Sequence, residues 1–164
     1  MTKRPQSLGE EIANSVSHGV ALLTALGAVP FLIASARNRS AASFTGVIVF
    51  AATMVLLYLT STIYHALPDG RAKRVFLKLD YGAIYLFIAG SYTPFALGAL
   101  GGTWGWLLFW LVWLLAAIGI TLKTFDRLTH PWLSTGCISA WVGSSSLRQC
   151  RLPNRCHCRA WCGS

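Results

Sequence analysis

The chain has 164 residues, 54% of them hydrophobic and 12% charged, where soluble domains carry roughly 25% charged residues. That balance excludes an ordinary soluble globular domain. Fourteen Lys and Arg against five Asp and Glu leave a net charge of +9, which suits nucleic acid, an acidic surface or the loops around a membrane, and the positions of the charges decide among these.

The charges fall in gaps between long apolar runs. With His counted as neutral, no charged residue occurs from Val16 to Ala36, from Ser40 to Pro68, or in the 42 residues between Asp80 and Lys123. An apolar run of about 18 residues or more reads as a membrane-spanning helix, because about 20 residues rising about 1.5 Å each cross a hydrocarbon core of about 30 Å. The pattern predicts an all-α, polytopic transmembrane helix bundle. A short segment over 1–15 leads into a transmembrane domain over 16–123, and a tail follows over 124–164.

The first span is expected over 16–35. Lys3 and Arg4 before it and Ala34-Ser35-Ala36 at its end imitate a secretory signal. Glu10 and Glu11 in the lead argue instead for a retained helix, as does an apolar stretch longer than that of a signal. At its start Glu11, Asn14 and His18 stand at i, i+3 and i+7, on one helical face. Polar groups in a span are costly, so this face is either functional or an interfacial helix start meeting headgroups or a neighbouring helix.

The second span, over 44–65, ends in Tyr58, Ser61 and His65, again at i, i+3 and i+7. A neutral imidazole at His65 can bind a metal, with Ser61 one turn back orienting the ring or holding a water. The plain alternative is a satisfied interface histidine. The third span is expected over 80–100. Asp80 opens it, as an N-cap for the free N–H groups of the first turn, as a carboxylate aimed towards His65 at the same level, or as both. Pro94 predicts a kink, with Ser91 or Thr93 re-satisfying the freed carbonyl of Gly90. Gly98, Gly101 and Gly102 supply a reversal into the fourth span over 104–122, whose Trp104 and Trp106 suit the outer interface.

Orientation follows from the Lys and Arg near the span ends. Lys3, Arg4, Arg71, Lys73, Arg74, Lys78, Lys123 and Arg127 lie on the side of the N-terminus, and Arg37 and Arg39 on the other. Eight against two predicts a cytoplasmic N-terminus. The basic balance is then a topology signal, the partner is the lipid bilayer, and no nucleic-acid binding is expected.

Glu11-x-x-Asn14-x-x-Ser17-His18, Ser61-x-x-x-His65, Leu79-Asp80-Tyr81 and Ala89-Gly90-Ser91-Tyr92-Thr93-Pro94 follow one another at successive span ends. Together they resemble the hemolysin III family, which belongs with the progestin and adiponectin receptor group, over roughly residues 10–122. The resemblance implies a seven-helix protein of a bacterial-type plasma membrane, with a membrane-perturbing, pore-forming, cytolytic activity. The receptor branch implies a second possibility, a zinc ion held by the second-span histidine and by two histidines of an H-x-x-x-H pair in the last span. His65 would then be a zinc ligand, Asp80 the carboxylate at the zinc-bound water and Ser61 a supporting group. Three protein ligands plus water is the arrangement of a hydrolytic site, so a zinc-dependent membrane hydrolase of lipid amides is the alternative.

Four of the seven implied spans are recognisable. After Leu133 there is no further run of spanning length and no H-x-x-x-H, so two of the three implied metal ligands are absent. All five cysteines fall between Cys137 and Cys162, among Arg148, Arg151, Arg155 and Arg159. This shift suggests a C-terminal part that is missing or aberrant, as a frameshift would leave it. A disordered basic tail near anionic headgroups is then expected, and an inactive product is a third reading. Cys156-x-Cys158-x-x-x-Cys162 with His157 lacks the C-x-x-C pairing of zinc sites, and an odd cysteine count in a reducing compartment argues against disulfides.

Overall fold

The computed structural model describes residues 7–124. His130, the cysteines from Cys137 to Cys162 with His157, and the readings made of that tail lie outside the described residues. Within them the chain forms four long helices joined by short connections, with no strand among the described residues.

Helix α1 runs Leu8–Ala36. Its start is fixed by a reciprocal cap: the Glu10 N–H donates to Ser7 Oγ at 3.3 Å and the Ser7 N–H donates to Glu10 Oε2 at 2.7 Å. Two backbone donors that the first turn leaves free are thereby satisfied. The helix thus begins ahead of its apolar run and carries Glu11, Asn14 and His18 in helical register. Helix α2 runs Ala41–Ala66, with Ser40 Oγ accepting from the Ser43 N–H at 3.2 Å. Helix α4 runs Gly102–Thr124.

Helix α3 runs Arg71–Pro94, which corrects the expected start. Arg71 to Leu79 is a charged, amphipathic stretch that an apolar-run criterion passes over, yet it is helical from its first residue. Asp80 therefore lies nine residues inside α3 and is not an N-cap; Gly70 holds that position with no side-chain cap bond. At the far end the helix widens after Pro94 into a π-helical turn over Phe95–Leu100. A proline lacks the N–H that an α-helical turn needs, and the chain takes up the mismatch as the wider turn. Ser91 and Thr93 do not bond the Gly90 carbonyl as expected. Ser91 Oγ donates to Ile88 O and Thr93 Oγ1 to Ala89 O, both at 2.8 Å.

The reversal between α3 and α4 falls where the glycines predict it. Gly101 and Gly102 both have φ of +57°, a left-handed conformation that a side chain disfavours. The four helices alternate in direction. α2 packs against α1 and α3, and α3 against α4. The starts of α1 and α3 and the ends of α2 and α4 therefore share one end of the bundle, as the bond from Lys78 Nζ to the Thr124 carbonyl at 3.1 Å shows.

The contact surfaces are built from small residues. Ala25, Ala51, Ala83, Ala89, Ala96 and Ala116 are buried, with Gly46, Gly90 and Gly105 at close helix crossings. Large apolar side chains point outward instead: Phe31 is 78% exposed and Trp104 75%. Small residues inside and bulky apolar residues outside suit helices that face lipid and approach one another closely. All four helices are long and apolar enough to cross a bilayer.

Candidate polar centre at one end of the bundle

Helix geometry brings the polar span ends together. Glu11 and His18 project from the start of α1, Ser61 and His65 from the end of α2, and Lys73 and Asp80 from the first half of α3. Glu11 is the node. Its Oε2 lies 2.8 Å from His65 Nδ1 and its Oε1 accepts from Lys73 Nζ at 2.9 Å, so one carboxylate joins three helices. A carboxylate oxygen only accepts, so His65 donates through Nδ1–H, which in the neutral ring puts the lone pair on Nε2. The three side chains are largely covered, at 10% exposure for His65, 16% for Glu11 and 15% for Lys73. Lys73 also stands 3.6 Å from the fully exposed Asp69 carboxylate.

Aromatic rings frame the histidine. Tyr64 meets His65 edge-on with centroids 4.7 Å apart, and the Lys73 ammonium lies 5.6 Å from the Tyr64 ring centroid. His18 stacks on His65 at 5.7 Å with ring planes 8° apart, and lies 6.3 Å from Tyr58. On the other side the half-buried Asp80 lies near the buried Ser61, His65 and His18. Of the residues singled out in the sequence, Glu11, His18, Ser61, His65 and Asp80 therefore share one site. Asn14 is half-buried on the same face of α1; its backbone carbonyl accepts from Ser17 Oγ.

Lys73 and Tyr64 belong to the centre and were not singled out by the sequence. Lys73 counts there only as a topology charge. The signal that locates it is the antiparallel geometry itself, since a residue three positions into α3 must lie level with the last turn of α2.

The donors among the described residues do not by themselves close a zinc site. Among the described residues, no group of three or more His, Cys, Asp or Glu side chains is placed to hold a metal ion. The stacked His18 and His65 rings explain part of this, because imidazole lone pairs lie in the ring plane and two nearly parallel planes do not converge on one ion. What the arrangement does supply is an imidazole oriented through Nδ1 by a carboxylate, with a hydroxyl and a second carboxylate nearby and a cation behind it. The described surface carries hollows near to and far from this centre. A groove along α1 among Val29, Pro30, Ile33 and Arg37 sits away from this centre, whereas one of about 220 Å³ is bounded by Tyr64, Asp69, Gly70, Lys73 and Arg74 beside it.

Four apolar helices around such a centre define an integral membrane protein of helix-bundle type. The chain matches the family described as Haemolysin-III related over residues 6–154, and it belongs to that family. It is 44% identical over 133 residues to a protein named Hemolysin-3 homolog of Bacillus subtilis (strain 168), covering 79% of this chain and 61% of the relative. It is 40% identical over 145 residues to Hemolysin-3 of Bacillus cereus, covering 87% and 66%. The chain thus spans less than two thirds of the length of these relatives. No solved structure matches it.

Proposed function

We propose that the chain acts on lipid bilayers, weakening their barrier as a cytolytic, hemolysin III-type membrane protein. The observation that carries this reading is the likeness to a protein named Hemolysin-3, in a chain whose four helices are all of spanning length. The helices pack successively, α1 on α2 on α3 on α4, and their charged groups gather at one end. A leak would therefore run between assembled copies or at that polar end, rather than down a polar channel among these four helices. Reconstitution into liposomes filled with a self-quenched dye tests it. Release above protein-free vesicles is expected, and intact vesicles at every protein-to-lipid ratio would sink the reading.

A second reading, a zinc-dependent hydrolase of lipid amides, is favoured by one specific observation. Glu11 on His65 Nδ1 is the kind of carboxylate–histidine contact that fixes the tautomer and direction of a metal-binding imidazole. Because the described residues do not complete the ligand set, the reading requires donors from elsewhere in the chain or from another chain. Metal analysis separates the two. Less than one zinc per chain is expected from His65 and Asp80 alone, and one tightly held zinc per chain that disappears in His65→Ala would favour the hydrolase.

A further inference from the structure

We propose that Lys73 is a positioning residue for His65, acting through Glu11 to fix which ring nitrogen faces the bundle. The inference rests on the reading that His65 is the working group of the polar centre, and it names what orients that group.

The argument starts from the Glu11 side chain. It reaches from α1 to α2 and α3, and a side chain with three rotatable bonds holds a single pose only if both ends of its carboxylate are tied. One oxygen is tied to the His65 ring at 2.8 Å and the other to the Lys73 ammonium at 2.9 Å. Lys73 is itself held from two further directions, by the Asp69 carboxylate at 3.6 Å and by the face of Tyr64. The cation is thus anchored on the connection that precedes α3 and on α2, so it serves as the fixed point against which Glu11 is set.

Without Lys73 the carboxylate keeps a single partner. Bringing the full charge of a largely covered carboxylate to rest without a cation is costly, and its flexible stem lets it swing out to water and headgroups. His65 Nδ1 then loses the acceptor that holds its proton. An imidazole left to itself in water carries its proton mainly on Nε2, so the tautomer reverses and the free lone pair turns from the bundle side to the Glu11 side.

The test reads the ring directly. Nitrogen-15 NMR of histidine-labelled full-length protein in detergent micelles distinguishes the two tautomers, with the His65 signal assigned by its loss in His65→Gln. The wild type is expected to show Nδ1–H as the major form. Lys73→Met is expected to make Nε2–H the major form, and Lys73→Arg, which restores a cation at that position, to return Nδ1–H. A folded Lys73→Met protein with Nδ1–H still dominant overturns the proposal. Should Lys73→Met not fold, Lys73→Gln keeps a donor without the charge and carries the same two outcomes. Dye release and metal content do not enter this measurement, so the tie can stand where the proposed function falls, and the reverse.

Discussion

Gly46 on α2 and Pro94 on α3 meet backbone to backbone: a Cβ added to Gly46 would stand 2.7 Å from the Pro94 Cα and 3.0 Å from its nitrogen. The crossing lies where α3 gives way to its π-helical turn, so the absence of a side chain on α2 lets the proline ring sit against the neighbouring helix.

The first prediction follows from that approach. Gly46→Ala adds one methyl whose obstacle is backbone and cannot rotate away, so the helices must separate locally. Overpacking of this kind costs about 1–3 kcal/mol, and thermal unfolding in detergent should show a clear loss of stability. An unchanged midpoint would mean that the crossing is looser than described.

Glu11→Ala removes the node that joins α1, α2 and α3 and leaves Lys73 and His65 without their shared acceptor. Hydrogen bonds to a charged group contribute about 1.5–3 kcal/mol each. Both bonds share one carboxylate, so the expected loss is about 1–3 kcal/mol rather than the two contributions summed. Glu11→Gln keeps an acceptor for His65 Nδ1 but gives up the ion pair, and should lose less. Equal losses for the two variants would show that the ion pair, not the histidine contact, carries the stabilisation.

From the charge distribution, residues 70–78 are expected on the cytoplasmic side and residues 37–39 on the other. Fusing alkaline phosphatase after Arg39 should give exported, active enzyme, and fusing a green fluorescent protein after Gly70 should give fluorescence. The opposite pattern would reverse the orientation.

How much of this was legible beforehand depends on what each signal rests upon. α2, α4 and all but the first turns of α1 follow from uninterrupted apolar runs, and the reversal before α4 from glycines that tolerate a left-handed backbone. The beginning of α3 was hidden because Arg71, Lys73, Arg74 and Lys78 interrupt hydropathy without interrupting helix, and that concealment turned Asp80 into an apparent cap. The polar centre was half visible. Glu11, His18, Ser61, His65 and Asp80 betray themselves as polar groups at span ends, whereas Lys73 looks like any loop cation until the antiparallel pairing sets it beside Glu11. The bond from Trp113 Nε1 to Thr93 Oγ1 at 3.2 Å had no sequence signature, since only the crossing of α3 and α4 brings those two residues together.

The paired left-handed glycines at 101 and 102 leave a single residue, Gly101, between the π-helical turn and α4. So short a hinge gives the two helices no slack: neither can rise or sink in the bilayer without drawing the other along. Any force that pulls on α3 at its Pro94 end is handed straight to α4, and the hairpin answers to the membrane as one lever.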